Sequence, residues 1–191
     1  MKKLSETLKE LGVAFTFPIQ IEDANGKKTY HENSGGYWYK QEYDDKGNRT
    51  YFEDSDGQWR KREHDDNGNL TYSENSNGWW VKYEYDDKGN ETYHEEKDGY
   101  WYKQEHDDKG NRTYFEKSNG SWVKYEYDAN GNETYHEEKD GYWYKQEFDD
   151  KGNRTYFEDN HGVKAGTPRS AKTCEGKVVE IDGIRYALKA L

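Results

Sequence analysis

The feature that most constrains this chain is a 21-residue repeat. One column of the repeat consists of Trp38, Trp59, Trp80, Trp101, Trp122 and Trp143. A second column consists of Tyr30, Tyr51, Tyr72, Tyr93, Tyr114, Tyr135 and Tyr156. A fixed period of this size predicts a stack of similar supersecondary units, each of which contacts mainly its neighbours. It also argues against an enzyme, because a catalytic site needs different side chains that converge on one point.

Each repeat contains two runs that are typical of β-strands, such as residues 37–43 and 49–53. The turn sequences between them, for example DDKGN and DSDG, place Asp or Asn three residues before Gly, which is typical of hairpin loops built on a type I turn. Aromatic residues dominate the runs, and Leu, Ile and Val are rare in the array. We therefore predict an all-β fold, an elongated, wound antiparallel β-meander of 21-residue hairpin repeats.

Three segments follow from this pattern. Residues 1–22 are predicted to form an N-terminal helix and strand cap. The helix is predicted over residues 1–12, with Leu4, Leu8 and Leu11 on one face, and the strand over residues 14–22. Residues 23–162 form the seven-fold repeat array, and residues 163–191 a linker followed by a C-terminal β-hairpin cap. Asp182-Gly183 marks the turn of that hairpin.

The odd period predicts an asymmetry between the two loops of a repeat. Side chains alternate between the faces of a strand, so equivalent residues share a face only if one loop is a residue longer. We assign three residues to the loop 34–36 and four to the loop 45–48. Tyr30 then lies opposite Lys40, Lys40 opposite Glu53, and Glu42 opposite Tyr51.

This register defines two faces. Face A carries Tyr30, Glu32, Trp38, Lys40, Glu42 and their equivalents, which change little between repeats and are predicted to be structural. Face B carries the changing residues, and its aromatic side chains are the candidate binding residues. They are Tyr37, Tyr39, Tyr43, Phe52, Trp79, Tyr100, Tyr102, Phe115, Tyr142 and Tyr144. The alternative is that face B closes on itself as the core.

A longer period overlies the first. Residues 93–116 and 135–158 are identical except for His106 against Phe148. The sequence therefore contains a 42-residue super-unit made of two unlike repeats.

The charge is strongly negative, −11 in total, but 40 acidic and 29 basic residues are interleaved. An ion-paired, solvated surface is the direct interpretation, and the charge argues against nucleic acid as a ligand. A more specific hypothesis is that the protein mimics nucleic acid, because pairs of aspartates recur along one edge of the predicted sheet. They are Asp44, Asp45, Asp65, Asp66, Asp86, Asp87, Asp107, Asp108, Asp149 and Asp150. The one basic cluster, Arg60, Lys61 and Arg62, is split between the two faces by alternation.

Nothing in the chain predicts a catalytic site, a metal or a cofactor. His94 and His136 share a column but lie four strands apart, about 19 Å, too far to share one ion. The single Cys174 excludes an internal disulfide, and no segment has the length and apolarity of a signal core or a membrane span. We expect a cytoplasmic protein that does not enter membranes, with its oligomeric state open.

The stretch EYDDKGNRTY resembles the YD (RHS) repeat, in which Tyr-Asp is followed, after two residues, by Gly-Asn or Gly-Arg. Matching positions are Tyr43-Asp44 with Gly47-Asn48, Tyr85-Asp86 with Gly89-Asn90, and Tyr127-Asp128 with Gly131-Asn132. The hairpin pattern is similar to MORN-type repeats, and YFEDSDG is similar to choline- or cell-wall-binding repeats. In style the chain resembles small repeat proteins of phages and mobile elements. The repeated surface, the negative charge and the absence of a catalytic constellation favour an inhibitor or adaptor, encoded by a phage and directed against a host or defence protein.

Three hypotheses about function therefore stand. The first is a non-enzymatic protein-binding repeat module that uses the aromatic, acidic sheet surface. The second is carbohydrate or cell-wall binding by the aromatic face. The third is an acidic mimic of nucleic acid that blocks a nuclease.

Overall fold

A computed structural model describes residues 2–168 and the backbone of residues 178–181 and 184–187. The described part contains one helix, α1 (Leu4–Glu10), and seventeen strands. The strands are β1 (Ile19–Glu22), β2 (Lys28–Glu32), β3 (Trp38–Tyr43), β4 (Arg49–Asp54), β5 (Trp59–His64), β6 (Leu70–Asn75), β7 (Trp80–Tyr85), β8 (Glu91–Glu96), β9 (Trp101–His106), β10 (Arg112–Lys117), β11 (Trp122–Tyr127), β12 (Glu133–Glu138), β13 (Trp143–Phe148), β14 (Arg154–Asp159), β15 (Lys164–Gly166), β16 (Val178–Ile181) and β17 (Ile184–Ala187). The first fifteen form one sheet in chain order, so the predicted all-β meander of hairpins is confirmed.

The chain divides into two compact units. The first ends at Gly110 and also takes in Phe115–Gly120, and the second consists of Asn111–Tyr114 and the chain from Ser121 onward. In the first unit, β1 to β9 pair in succession, each antiparallel to the next. In the second unit, β11 to β15 pair in the same way.

The predicted register is confirmed. Tyr30 pairs with Lys40, Lys40 with Glu53, and Glu42 with Tyr51. The second unit repeats this pattern, with Glu126 opposite Tyr135. Faces A and B therefore contain the residues assigned to them by alternation.

The predicted four-residue loop at 45–48 is wrong. The N–H of Asn33 donates to the carbonyl of Tyr37 at 2.9 Å, and the N–H of Asp44 donates to the carbonyl of Asn48 at 3.0 Å. Each pair of partners encloses three residues, so the two loops are of the same kind. Gly47 lies at φ +87°, which an L-residue adopts only with strain.

The extra residue that the odd period requires lies in a strand, β4, and not in a loop. Glu42 pairs with Tyr51, but Tyr43 pairs with Arg49, so Thr50 has no residue opposite it. This is a β-bulge, which inserts one residue into one strand of a pair. The same shift recurs between Glu63 and His64 and in each later pair of this kind that the structure describes.

Helix α1 is shorter than predicted, and its attachment is polar. Leu11 is 70% exposed, so it does not belong to an apolar contact face. The N–H of Ser5 donates to Glu32 Oε2 at 3.0 Å, and the N–H of Leu4 donates to the Tyr30 hydroxyl at 3.1 Å. The strand predicted over residues 14–22 begins only at Ile19, after Pro18, which has no N–H to donate to a ladder.

Full burial is confined to one place among the described side chains. Ile19, Tyr30, Trp38, Ser5 and Glu32 are buried, and the sheet residues among them lie on face A at the first hairpin. No face-B side chain in the described ranges is fully buried, and β1 to β15 form one open meander in chain order. The alternative that face B closes on itself as a core is therefore wrong for this part of the chain.

At the C-terminal end, β15 lies at the start of the segment predicted as a linker. The loop 159–162 closes like the others, because the N–H of Asp159 donates to the carbonyl of Val163 at 3.1 Å. Strands β16 and β17 form the expected hairpin, with Val178 opposite Ala187. The turn residues Asp182 and Gly183 lie outside the described residues.

Candidate functional site

Face A is held together by the same contacts in successive repeats. The Tyr51 hydroxyl donates to Glu53 at 3.1 Å, and Lys61 Nζ lies 5.4 Å from the centre of the Trp59 ring. Lysines two residues after Trp80, Trp101, Trp122 and Trp143 make the same contact at 5.0–5.5 Å. Cation–π contacts and tyrosine–glutamate hydrogen bonds account for the constancy of this face.

Face B of the first unit begins with an aromatic cluster on β2, β3 and β4. The His31 ring stacks on Tyr39, with 5.3 Å between ring centres, and Tyr39 lies 6.1 Å from Phe52. Tyr37 lies 6.4 Å from Tyr39 and is 39% exposed. We call this the His31 cluster.

The His94 cluster occupies β7 to β10 on the same face. His94 and Tyr102 are parallel, with 4.8 Å between ring centres, and Tyr83 meets His94 edge-on at 5.1 Å. Tyr102 is also 5.4 Å from Phe115, and Tyr100 is 6.2 Å from His94. These rings form a connected, pre-ordered surface.

Carboxylates fix the orientation of the rings in this cluster. His94 Nε2 lies 2.9 Å from Glu96 Oε1, and the Tyr102 hydroxyl donates to Glu91. Burial, and then the hydrogen bond to Glu91, raise the pKa of Tyr102 well above its usual value. The phenol therefore stays neutral and keeps its donor role at physiological pH.

The second unit contains the His136 cluster, which repeats this geometry. His136 and Tyr144 are parallel at 4.8 Å, Tyr125 lies 5.3 Å from His136, and Phe157 lies 5.8 Å from Tyr144. The Tyr144 hydroxyl donates to Glu133, as Tyr102 does to Glu91. The 42-residue super-unit of the sequence therefore also repeats as a cluster of side chains on face B.

Two predicted binding residues lie outside these clusters. Tyr43 lies next to the bulge, and Lys27 Nζ is 4.8 Å from the centre of its ring. Trp79 is 41% exposed on the loop side of β7. The sequence predicted one long strip, whereas β5 and β6 interrupt it with Arg60, Arg62 and Ser73.

The two aspartates of a pair make different contacts. The first aspartate of a pair belongs to its own loop: Asp65 Oδ1 accepts from the N–H groups of Asn67 and Asn69, both at 2.8 Å. The side-chain hydrogen bond from Asn69 is the main cause that lowers the pKa of Asp65. The second aspartate is exposed, and Asp66 accepts from Lys46 Nζ at 3.0 Å.

The first unit contains two notable cavities. One, of about 510 Å³, lies between α1 and β1 to β3 and is lined by Leu4, Ile21, Tyr30 and Lys40 among others. The other, of about 340 Å³, lies on β4 to β6. Among the described residues, no group of three His, Cys, Asp or Glu side chains could hold a metal ion. The helix of the described part has seven residues, too few to cross a membrane.

Comparison with known proteins gives structural similarities alone. No protein-family model matches the chain, and a search of curated proteins gives no match. A chain of the Photorhabdus luminescens Tc holotoxin pore is 12% identical, with a TM-score of 0.46 over 78% of this chain and 9% of that chain. A chain of the TcdB2–TccC3–Cdc42 structure is 12% identical, with a TM-score of 0.46 over 88% of this chain and 10% of that chain. This protein spans about a tenth of the length of those chains, and at these TM-scores we draw no conclusion about function.

Proposed function

We propose that this protein is a non-enzymatic protein-binding repeat module whose partner docks on face B. The observation that carries the proposal is the exposure of aromatic residues there, 39% for Tyr37, 41% for Trp79 and 38% for Tyr100. Tyrosine and tryptophan are enriched among residues that dominate the binding energy of protein interfaces. Large rings exposed to this degree on a charged protein favour an interface over a purely solvated surface.

The ring clusters also favour docking on energetic grounds. Tyr100 lies 6.2 Å from both Tyr102 and His94, so neighbouring rings already restrict it. A side chain that is ordered before binding loses less conformational entropy when a partner arrives. The His136 cluster presents Tyr142 in the same way, 6.1 Å from Tyr144.

A more specific role is part of the proposal. We infer that the protein acts as an inhibitor or adaptor, encoded by a phage and directed against a host or defence protein. Support comes from the resemblance in style to small repeat proteins of phages and mobile elements. The net charge of −11 adds long-range attraction to a basic partner.

The two alternatives have weaker support. Glycan binding needs free ring faces, yet Tyr102 and Tyr144 are each stacked on a histidine at 4.8 Å. A nucleic-acid mimic needs free carboxylates, yet the first aspartate of a pair such as Asp65-Asp66 is bonded to its own loop. We therefore rank both below a protein partner.

The test uses residues that the array itself supplies. The column of Trp79, Tyr100 and Tyr142 holds Ser121 in another repeat, so replacing all three by serine introduces a side chain that the fold already accepts there. We expect the protein to recover a stoichiometric partner from host lysate, the triple serine variant to lose it, and the face-A variant Lys103→Gln to retain it. Recovery of no partner, or equal recovery by the triple serine variant, would contradict the proposal.

A further inference from the structure

One hairpin, β5–β6, departs from the rest of the array on face B. Arg60 and Arg62 occupy the columns held by Val81 and Tyr83 in the next repeat. Ser73 occupies the column of the ring-forming His94. The face-A residues of the same hairpin follow the repeat, so the change is confined to one surface.

The same hairpin also lacks two carboxylates of the next repeat. Leu70 stands where the next repeat has Glu91, and Asn75 stands where it has Glu96. Relative to that repeat, face B gains two guanidinium groups and loses two carboxylates. Substitutions of both kinds raise the local positive charge in a protein whose net charge is −11.

A third arginine joins the pair because of the bulge in β4. Arg49 lies opposite Tyr43, its guanidinium lies 5.3 Å from the centre of the Phe52 ring, and its Nη1 lies 3.5 Å from Gln41 Oε1. Phe52 in turn pairs with Arg60. The bulge thus brings Arg49 onto face B beside the arginines of β5.

Two of these arginines, Arg49 and Arg60, line a cavity. The cavity of about 340 Å³ on β4 to β6 has a lining of arginines, aromatic rings and side-chain amides. The lining residues are Arg49, Phe52, Gln58, Trp59, Arg60, Asn75 and Asn77. Arg62 lies two residues from Arg60 on the same face.

The three arginines lack compensating acids. Within the described ranges, no ion pair joins Arg49, Arg60 or Arg62 to a carboxylate. Burial, followed by the positive charges of Arg49 and Arg60, lowers the pKa of Arg62. Like charges held together in this way destabilise one another, and a bound anion would remove that cost.

We propose that the cavity on β4 to β6 binds the phosphoryl group of a small molecule. Arg49 and Arg60 line the cavity, and Arg62 lies beside Arg60 on β5. This local charge matches a compact anion with more than one negative charge better than a single carboxylate, and the planar forks of guanidinium groups pair with phosphate oxygens bidentately. The volume lies at the lower end of the range for small-molecule sites, about 300–1,000 Å³. The amides of Gln58, Asn75 and Asn77 offer donors and acceptors to the rest of the molecule.

Two sources can supply such a group, inorganic phosphate and a nucleotide. Calorimetric titrations with inorganic phosphate, with a nucleoside monophosphate and with the matching nucleoside distinguish them. We expect binding of phosphate, of the monophosphate or of both, no binding of the nucleoside, and weaker binding as salt is raised. A monophosphate that binds while free phosphate does not would assign the site to nucleotides.

The variant Arg60→Val/Arg62→Tyr tests the residues, because it installs the side chains of the next repeat and so favours retention of the fold. We expect its affinity to fall by at least about tenfold. The control Lys82→Gln/Lys103→Gln removes the same charge from face A at lysines that contact none of the described residues of the cavity lining, and it should leave the affinity unchanged. Circular dichroism checks the fold of both.

Three outcomes would overturn the proposal. They are no binding of phosphate or nucleotide by the unaltered protein, unchanged binding by Arg60→Val/Arg62→Tyr, and binding of a glutamate-rich peptide without binding of either phosphoryl compound. Failure here leaves protein docking through Tyr100 and Tyr142 untouched, because that docking rests on other residues.

Discussion

Glu32 is a charged residue that is only 1% exposed, and it ties the helix to the sheet. Its carboxylate accepts from the Ser5 N–H and hydroxyl and, at 2.9 Å, from the Tyr30 hydroxyl. Burial acts to raise the pKa of Glu32, but the hydrogen bonds from Ser5 and Tyr30 outweigh it, so the pKa lies below its usual value. A depressed pKa contributes stability above the unfolded pKa and loses it as the pH falls through the folded one.

We expect Glu32→Gln to lower the free energy of unfolding by about 1.5–3 kcal/mol at neutral pH, the range for hydrogen bonds to charged groups. The difference from the unaltered protein should shrink as the pH falls, because the native carboxylate is then protonated too. Urea unfolding at neutral and acidic pH measures both quantities. Glu53→Gln is the matched control, because Glu53 bonds to Tyr51 but lies one repeat beyond the Ser5 contact, and its effect should be smaller. Equal effects of the two substitutions would contradict this account of the helix contact.

Alternation along a strand predicted which face each residue occupies, and it succeeded wherever the ladder is regular. Arg60 and Lys61 separate onto opposite faces, opposite Phe52 and Tyr51. Arg49 was missed as a neighbour of Arg60 because it lies at a bulge, where alternation fails. Ser5 was missed because the leucines dominate the helix pattern, and no local signal marks a serine that meets a glutamate 27 residues away.

At the scale of the loop, each DDxGN turn is organised by its first aspartate. Asp65 accepts two backbone N–H groups, and Asn69 Nδ2 donates to it at 3.0 Å, whereas Asp66 contacts the neighbouring loop through Lys46. The side chain of Asp65 therefore replaces the water that its loop N–H groups would otherwise bind.

We expect Asp65→Ala to lower the melting temperature by a few degrees and Asp66→Ala to leave it nearly unchanged. The two variants remove the same charge from adjacent positions, so a difference between them reports the loop hydrogen bonds alone. Thermal denaturation followed by circular dichroism measures both. Equal melting temperatures for the two variants would show that the charge, and not the loop bonding, matters.

The loops and the register could be predicted to different degrees. Asp or Asn with Gly three residues later identified both kinds of loop, and the odd period required one extra residue. Its position could not be deduced, because a bulge at Thr50 and a longer loop give the same register beyond it. Tyr30 opposite Lys40 follows from either.

At the scale of the whole molecule, face A carries the repeated contacts that stabilise the sheet, and face B carries the side chains that vary. Face A repeats its contacts within each strand, and pairs such as Lys40 over the Tyr51 ring at 5.5 Å and Lys82 with Glu95 at 4.0 Å join one strand to the next. Neighbouring strands therefore support one another, as in other repeat proteins. Face B varies, and it carries the aromatic clusters and the arginine cavity. The sequence indicates which surface is free to vary, but a partner is recognised by shape and charge that one sequence does not specify.

The stability of the array depends on face-A contacts between neighbouring strands, and these contacts require that every repeat keep its register. Deletion of residues 94–135 tests this dependence most directly, because it removes one 42-residue super-unit and joins Tyr93 to His136, restoring the sequence ETYHEE. Deletion of residues 94–134 is the matched control, since it leaves one extra residue and exchanges the faces of everything after the junction.

The measurement is urea unfolding of both deletion proteins beside the full chain. We expect the 42-residue deletion to unfold cooperatively near the midpoint of the full chain, with a smaller dependence on urea because less surface is exposed on unfolding. The control deletion should unfold at much lower urea or not fold at all. Equal stability of the two deletion proteins, or loss of folding in the 42-residue deletion, would contradict the claim.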